Sequence, residues 1–282
     1  MFEIYTNEFN TYLLNAMNEY PKISEELIES MNYSVEAGGK RFRPVLMVLM
    51  ANAIGLDYEK VFDAGVAIEM IHTFSLIHDD LPCMDDDALR RGKPTNHVVY
   101  GEALALLAGD GLNNLAYEYI YRTIENNGIS VEIAREFSTA IIKMIEGQVL
   151  DMDEKVNSFE LLKETHKNKT GALIEFSCIA PLLIKNESAE MIEKAREFAY
   201  HFGLSFQIKD DILDIEANIE TLGKSTSDVD NNKTTYVSLL GLEQAKAYLV
   251  SSIETCKGLL KEMKLDTDEL MALCDYSINR EK

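Results

Sequence analysis

Two runs of aspartate carry the most legible chemistry in this chain. The first is Asp79-Asp80-Leu81-Pro82-Cys83-Met84-Asp85, extended by Asp86 and Asp87. It closes the very apolar segment Ala67–Ile77 and runs into a proline-broken loop. The C-terminal end of a helix is already the negative pole of its macrodipole, so carboxylates there are unfavourable unless cations neutralise them. The second run is Asp210-Asp211-Ile212-Leu213-Asp214, preceded by Phe206-Gln207-Ile208-Lys209. On a helix Asp210 and Asp211 lie four and three residues before Asp214, so the carboxylates converge on one face, which Gln207 shares. Like charges placed this way each cost about a few tenths of a kcal/mol unless a cation bridges them. One such run reads equally well as a solvated acidic loop; two of them, about 130 residues apart, point to a shared task. Hard oxygen donors select Mg²⁺ or Mn²⁺ over zinc or copper, and magnesium commonly completes its shell with substrate phosphate oxygens.

Charge sharpens the point. Lys plus Arg number 27 against 48 Asp plus Glu, a formal net charge of −21. Such a surface repels nucleic acid and anionic membranes, so neither is an expected partner. It would repel a diphosphate as well, unless cations gather locally, and two turns gather them. Gly38-Gly39-Lys40-Arg41-Phe42-Arg43-Pro44 sets three cations in a glycine-flexed turn ahead of a helix, and Arg90-Arg91-Gly92-Lys93-Pro94 is a second such turn. Point charge, guanidinium forks and backbone N–H groups together suit a diphosphate, and two turns suggest two anionic substrates. Lys169-Thr170-Gly171 and Lys224 add single cations. His72 shares a helical face with Asp79; by spacing alone it reads as a packed core residue. Glu69-Met70-Ile71-His72 spells half of a di-iron carboxylate motif, but no second copy exists. Nothing arranges Ser-His-Asp or Cys-His for nucleophilic catalysis.

These groups must be positioned by helices. Only five prolines interrupt 282 residues, 46% of them hydrophobic, and apolar positions recur every three to four residues. The pattern predicts a first helix ending at Pro21, a second stopped by Gly38-Gly39, a third starting near Pro44, and a long one capped by Asp57 and running to about Asp80. Others are expected over 98–126, 130–152, 158–168, 172–185, 189–215, 234–264 and 267–279. The least helical stretches, Leu81–Asn96 and Ala217–Asn232, each follow an aspartate run. No repeat or linker-like stretch appears, so one all-α domain over 1–282 is expected. Cys83, Cys178, Cys256 and Cys274 lack metal-binding spacing and do not make a disulfide scaffold, which suits a reduced, cytoplasmic setting. No apolar run reaches the roughly 18–20 residues needed to span a bilayer, and the start lacks a signal-peptide pattern.

Taken together these segments resemble the trans-isoprenyl diphosphate synthase family, in particular its bacterial farnesyl diphosphate synthase (geranyltranstransferase) branch. The resemblance is carried, in the family's order, by Gly38–Pro44, Ile71–Arg91, Gly147–Asp151, Lys169–Leu173, Phe206–Asp214 and the lysine segment Asn232–Tyr236. It implies a helical bundle around a deep central cavity, a homodimer, and up to three Mg²⁺ held by Asp79, Asp80, Asp85, Asp210, Asp211 and Asp214. It further implies that Gly39, Lys40, Arg43, His72 and Arg91 bind isopentenyl diphosphate. Arg90, Lys169, Thr170, Gln207 and Lys224 would contact the allylic diphosphate, with Lys233 a further basic contact. The implied reaction is ionisation of dimethylallyl or geranyl diphosphate, attack by the isopentenyl double bond, and proton loss. By the same resemblance Phe74, five residues before Asp79, limits chain growth, and small Ser75 leaves room beyond a ten-carbon product; farnesyl diphosphate is the expected product. A geranylgeranyl synthase of the same family and a class I terpene cyclase are the alternatives, the cyclase having no use for the Gly38–Pro44 turn.

Overall fold

A computed structural model describes residues 2–19, 24–152, 156–222 and 234–280, and helix dominates throughout. The helices gather into two compact units, one of residues 1–52, 56–137 and 183–186, the other of 53–55, 138–182 and 187–282. Each holds one aspartate run. No described helix is long and apolar enough to cross a membrane.

In the first unit α1 (Glu3–Asn18), α2 (Glu25–Val35) and α3 (Phe42–Ala53) precede α4 (Phe62–Asp79). Ala64 to Ile68, Met70 and Ile71 are all buried, so α4 is covered on every side, as a helix apolar all round must be. Gly65 makes this possible on one side, since a Cβ there would lie 2.8 Å from the Phe9 ring of α1. Pro44 stands in the first turn of α3, where its missing N–H breaks no helical bond. Asp57 caps a 3₁₀ turn, Tyr58–Val61, rather than the long helix itself, accepting from Glu59 N–H at 3.2 Å. The helix expected over 98–126 is two, α5 (Asn96–Tyr100) and α6 (Glu102–Asn127), because Gly101 adopts φ +86°. Between α4 and α5 lies a strand pair not anticipated from the sequence, β1 (Leu89–Arg90) and β2 (Lys93–Pro94). Its two turn residues, Arg91 and Gly92, have φ +53° and +77°, the left-handed pair that matches hairpin twist. The second basic turn is therefore a tight hairpin.

The second unit contains most of α7 (Glu132–Asp151) and α9 (Ala172–Lys185), with α8 (Phe159–His166), α10 (Ala189–Leu222), α11 (Tyr236–Leu240), α12 (Leu242–Met263) and α13 (Asp268–Asn279). Phe198 and Phe202 of α10 and Ile253, Cys256 and Leu260 of α12 are buried in its core. Helix α10 runs beyond the expected end at 215 and takes in residues 217–222, which the sequence placed among the least helical. Residues 223–232 of that stretch lie outside the described residues. The helix expected over 234–264 breaks at Gly241, φ +79°, into α11 and α12. Cys178, Cys256 and Cys274 are buried free thiols and Cys83 is an exposed one.

Candidate active site

In the first unit the buried helix α4 delivers Asp79 and Asp80 to its C-terminal end. The loop that follows folds straight back: Asp85 N–H donates to the Asp79 carbonyl at 2.9 Å and Met84 N–H to Leu81 at 2.8 Å. Half-buried Asp79 and exposed Asp85 are thus brought back to back. Asp80 points inward, 3% exposed, and takes the Arg90 guanidinium through Nε at 2.7 Å and Nη2 at 2.6 Å. Burial raises the Asp80 carboxyl above its ordinary range, against the opposing pull of Arg90. Arg90 also reaches Asp87 at 3.5 Å, so this cation is engaged by the acidic loop itself.

The Gly38–Pro44 turn divides its cations. Arg41 turns inward at φ +45° and donates to Asn10 Oδ1 at 2.8 Å, Glu69 Oε1 at 2.8 Å and the Val35 carbonyl at 2.7 Å. Glu69, half of the di-iron pattern, is therefore committed to a buried ion pair. Lys40 stays exposed, while Arg43 is half-buried with its Nε atom buried and lacking a hydrogen-bond partner among the described residues. The hairpin brings in Arg91, whose Nη1 donates to the Gly38 carbonyl. Gly39 adopts φ +141°, a conformation that favours glycine, and lies against the Arg91 guanidinium, whose Nη1 is 2.9 Å from a Cβ placed there. Burial, then Arg43 and Arg91, hold the His72 imidazole well below the usual histidine range. Gly39, Arg43, His72 and Arg91 thus form one electropositive patch with Arg41 and its partner Glu69 beneath it. An unpartnered buried guanidinium nitrogen is costly unless a ligand meets it.

In the second unit Ile208 and Ile212 are buried and put Gln207, Asp210, Asp211 and Asp214 on the accessible stripes of α10. Gln207 Nε2 donates to Asp210 Oδ2 at 3.3 Å, and the Tyr236 N–H at the start of α11 donates to Asp211 Oδ2 at 2.7 Å. Asp214 is exposed. Arg280, absent from the sequence reading, donates to Asp210 Oδ1 at 2.6 Å and to the Phe206 carbonyl at 2.9 Å, its guanidinium 4.1 Å from the Phe206 ring centroid. No local spacing could reveal it, since 70 residues separate the pair.

The segment Lys167–Gly171 is a single π-helical turn, a distortion often found at functional sites. It presses on α7 so closely that a Cβ on Gly147 would lie 2.1 Å from Lys169 N and 2.5 Å from its Cα. One turn further along α7, Asp151 accepts from Lys169 Nζ at 2.6 Å. Gly147 and Asp151 thus have separate duties: approach and anchoring. Gly203 of α10 gives the turn a second close neighbour, a Cβ there meeting Gly171 Cα at 3.4 Å. Because backbone cannot yield as a side-chain tip can, Gly147→Ala is expected to destabilise by about 1–3 kcal/mol and to cut activity by displacing Lys169. Chemical denaturation and turnover measured together check this; an unchanged midpoint with full activity would refute it.

Lys224 and Lys233 lie outside the described residues. Phe74 is buried, and half-buried Ser75 donates its hydroxyl to the His72 carbonyl at 2.9 Å. Among the described residues no three His, Cys, Asp or Glu side chains are grouped to hold a metal by themselves. The donors are nonetheless all carboxylate oxygens, the kind magnesium takes one or two at a time alongside phosphate. The residues present fit an ion shared with a phosphorylated ligand rather than a closed protein cage.

The fold is helical but for one short hairpin among the described residues, and it is that of solved isoprenoid synthases. The chain belongs to the polyprenyl synthetase family, whose sequence pattern matches residues 24–271. It is 43% identical to the farnesyl diphosphate synthase of Bacillus subtilis, over 95% of this chain and 93% of that protein. It is 40% identical to the chloroplastic geranylgeranyl pyrophosphate synthase of Capsicum annuum, over 99% and 79%. A Helicobacter pylori geranyltransferase solved with magnesium and isoprenyl diphosphate superposes with a TM-score of 0.81 at 33% identity, covering 98% of this chain and 96% of that one.

Proposed function

We propose that the chain is a prenyltransferase that condenses isopentenyl diphosphate with dimethylallyl or geranyl diphosphate, giving (2E,6E)-farnesyl diphosphate and diphosphate. The carrying observation is the patch of Gly39, Arg43, His72 and Arg91 in a chain of net charge −21, with a buried Arg43 nitrogen that lacks a partner among the described residues. A cation cluster beside the aspartate-bearing helix suits an anion bound independently of the metal, as the isopentenyl substrate would be. Exposed Lys40 would add a further positive charge. Lys169, Thr170, Gln207 and Arg90, with Lys224 and Lys233, would hold the allylic diphosphate. Asp79, Asp80 and Asp85 in the first unit, and Asp210, Asp211 and Asp214 in the second, are the carboxylates that would hold magnesium, up to three ions, with manganese able to substitute. When bound, the metal would screen the departing diphosphate and draw off its developing charge.

The chain's own groups then do two things. Cations fixed in advance stabilise the leaving diphosphate without reorganisation, and apolar helix faces keep water from the allylic carbocation. The C–O bond to the diphosphate breaks, the isopentenyl double bond forms the new C–C bond, and the released diphosphate takes the proton. The family pattern runs through both units, which supports reading 1–282 as one catalytic domain. We read it as a cytoplasmic homodimer; the exposed apolar stripe Ile142, Ile145 and Val149 of α7 supports a second copy as occupant, and sedimentation velocity tests it.

Product analysis by chain length, with purified protein, Mg²⁺, isopentenyl diphosphate and geranyl diphosphate, tests the reading. Farnesyl diphosphate is expected; failure to incorporate labelled isopentenyl diphosphate would point instead to a cyclase. Phe74→Ala is expected to move the main product from fifteen to twenty carbons or beyond, because a buried ring is removed from the proposed floor. A wild-type product from Phe74→Ala would take Phe74 out of the argument and leave the geranylgeranyl alternative to be judged on products alone.

A further inference from the structure

Phe74 does not stand alone. Four residues later on the same face of α4, His78 meets it edge to face, with ring centroids 4.9 Å apart and planes at 84°. The imidazole is in turn seated in a notch of α6. Its Nε2 lies 3.0 Å from the Leu106 carbonyl oxygen, and since a carbonyl only accepts, Nε2 carries the proton. The notch exists because residue 109 is glycine: a Cβ there would lie 2.1 Å from His78 Nε2, 2.4 Å from Cδ2 and 3.0 Å from Cε1. Gly109 has no positive φ and sits inside a helix, where glycine is costly relative to alanine. Room for the ring is the physical reason for it. The imidazole is thus fixed on one side by the notch and one hydrogen bond, and on the other it walls the Phe74 ring.

We propose that His78, seated against Gly109 and Leu106 of α6, is a positioning residue that holds the Phe74 ring in place and thereby sets product length. The inference rests on the proposed role of Phe74. A phenylalanine limits a growing chain only while its ring stays in one rotamer. The His78 imidazole occupies space into which that ring could otherwise turn, so the limit on growth is carried jointly by two rings on α4 and a gap on α6. His78 needs no contact with either substrate for this role.

The experiment is product distribution for four variants, each normalised to its folded fraction: Phe74→Ala, His78→Ala, Gly109→Ala and the double variant His78→Ala/Gly109→Ala. His78→Ala is expected to raise the ratio of twenty-carbon to fifteen-carbon product by roughly 2- to 10-fold, the factor corresponding to one aromatic contact. Gly109→Ala should shift it the same way by evicting the ring. The double variant should shift it no further than His78→Ala alone, because the added methyl fills space the ring has left. A merely structural role would lower total turnover without moving this ratio. If Phe74→Ala lengthens the product while His78→Ala and Gly109→Ala leave the ratio at its wild-type value, the positioning role is overturned and the role of Phe74 survives. If Phe74→Ala itself has no effect, both fall together.

Discussion

Replacing Asp79 by alanine is expected to lower turnover at least about 100-fold, the scale seen when one fixed electrostatic contributor to a transition state is removed, without loss of stability. The second half distinguishes function from structure. Asp79 ends α4 at the negative pole of its dipole, so deleting its charge removes a repulsion that offsets the attraction it shares with Arg90, and stability should stay near the wild-type value. The buried apolar body of α4 is untouched. Asp80→Ala makes the contrast: it too should lose activity, but it also strips Arg90 of a partner 2.6 Å away and should lose stability. Turnover and thermal unfolding of both variants check this. An Asp79→Ala protein retaining half its activity would count decisively against the metal-binding assignment.

Arg41→Ala is expected to produce the largest stability effect, about 3–5 kcal/mol, the usual cost of leaving one member of a buried ion pair alone. Side-chain exposures of 4% for Arg41 and 3% for Glu69 leave no water to compensate. The same change removes donors from Asn10 and the Val35 carbonyl. Function should follow, because the inward turn of Arg41 at φ +45° sets the path of the chain from exposed Lys40 to Arg43. Urea unfolding should show a lower midpoint at unchanged slope, with a raised KM for isopentenyl diphosphate. A midpoint near the wild-type value would show that this pair does not hold the turn.

What the sequence could tell followed from local rules. Periodicity gave the helical class because 3.6-residue repetition is a property of a single segment, and the aspartate runs were visible because their chemistry depends on residue type and short spacing. The breaks at Gly101 and Gly241 were missed because glycine is tolerated within a helix, and only the adopted φ distinguishes a stop from a pause. The hairpin at 89–94 was missed because two-residue strands leave no periodic trace.

The tertiary structure assigned roles among chemically equal residues. Lys40, Arg41 and Arg43 are three cations in one turn, yet burial beside Glu69 makes Arg41 part of the core, while Arg43 keeps a buried Nε with no hydrogen-bond partner among the described residues. Gly147 became necessary only when the backbone of Lys169 was found against it, as did Gly109 with the His78 ring. Arg280 joined the second aspartate run across 70 residues. Residue type and spacing alone pointed to a divalent metal and a diphosphate, while the prenyl-transfer reaction came from the family resemblance. Which side chains are released to perform it was decided by packing, because charge and space are contested between segments that only folding brings together.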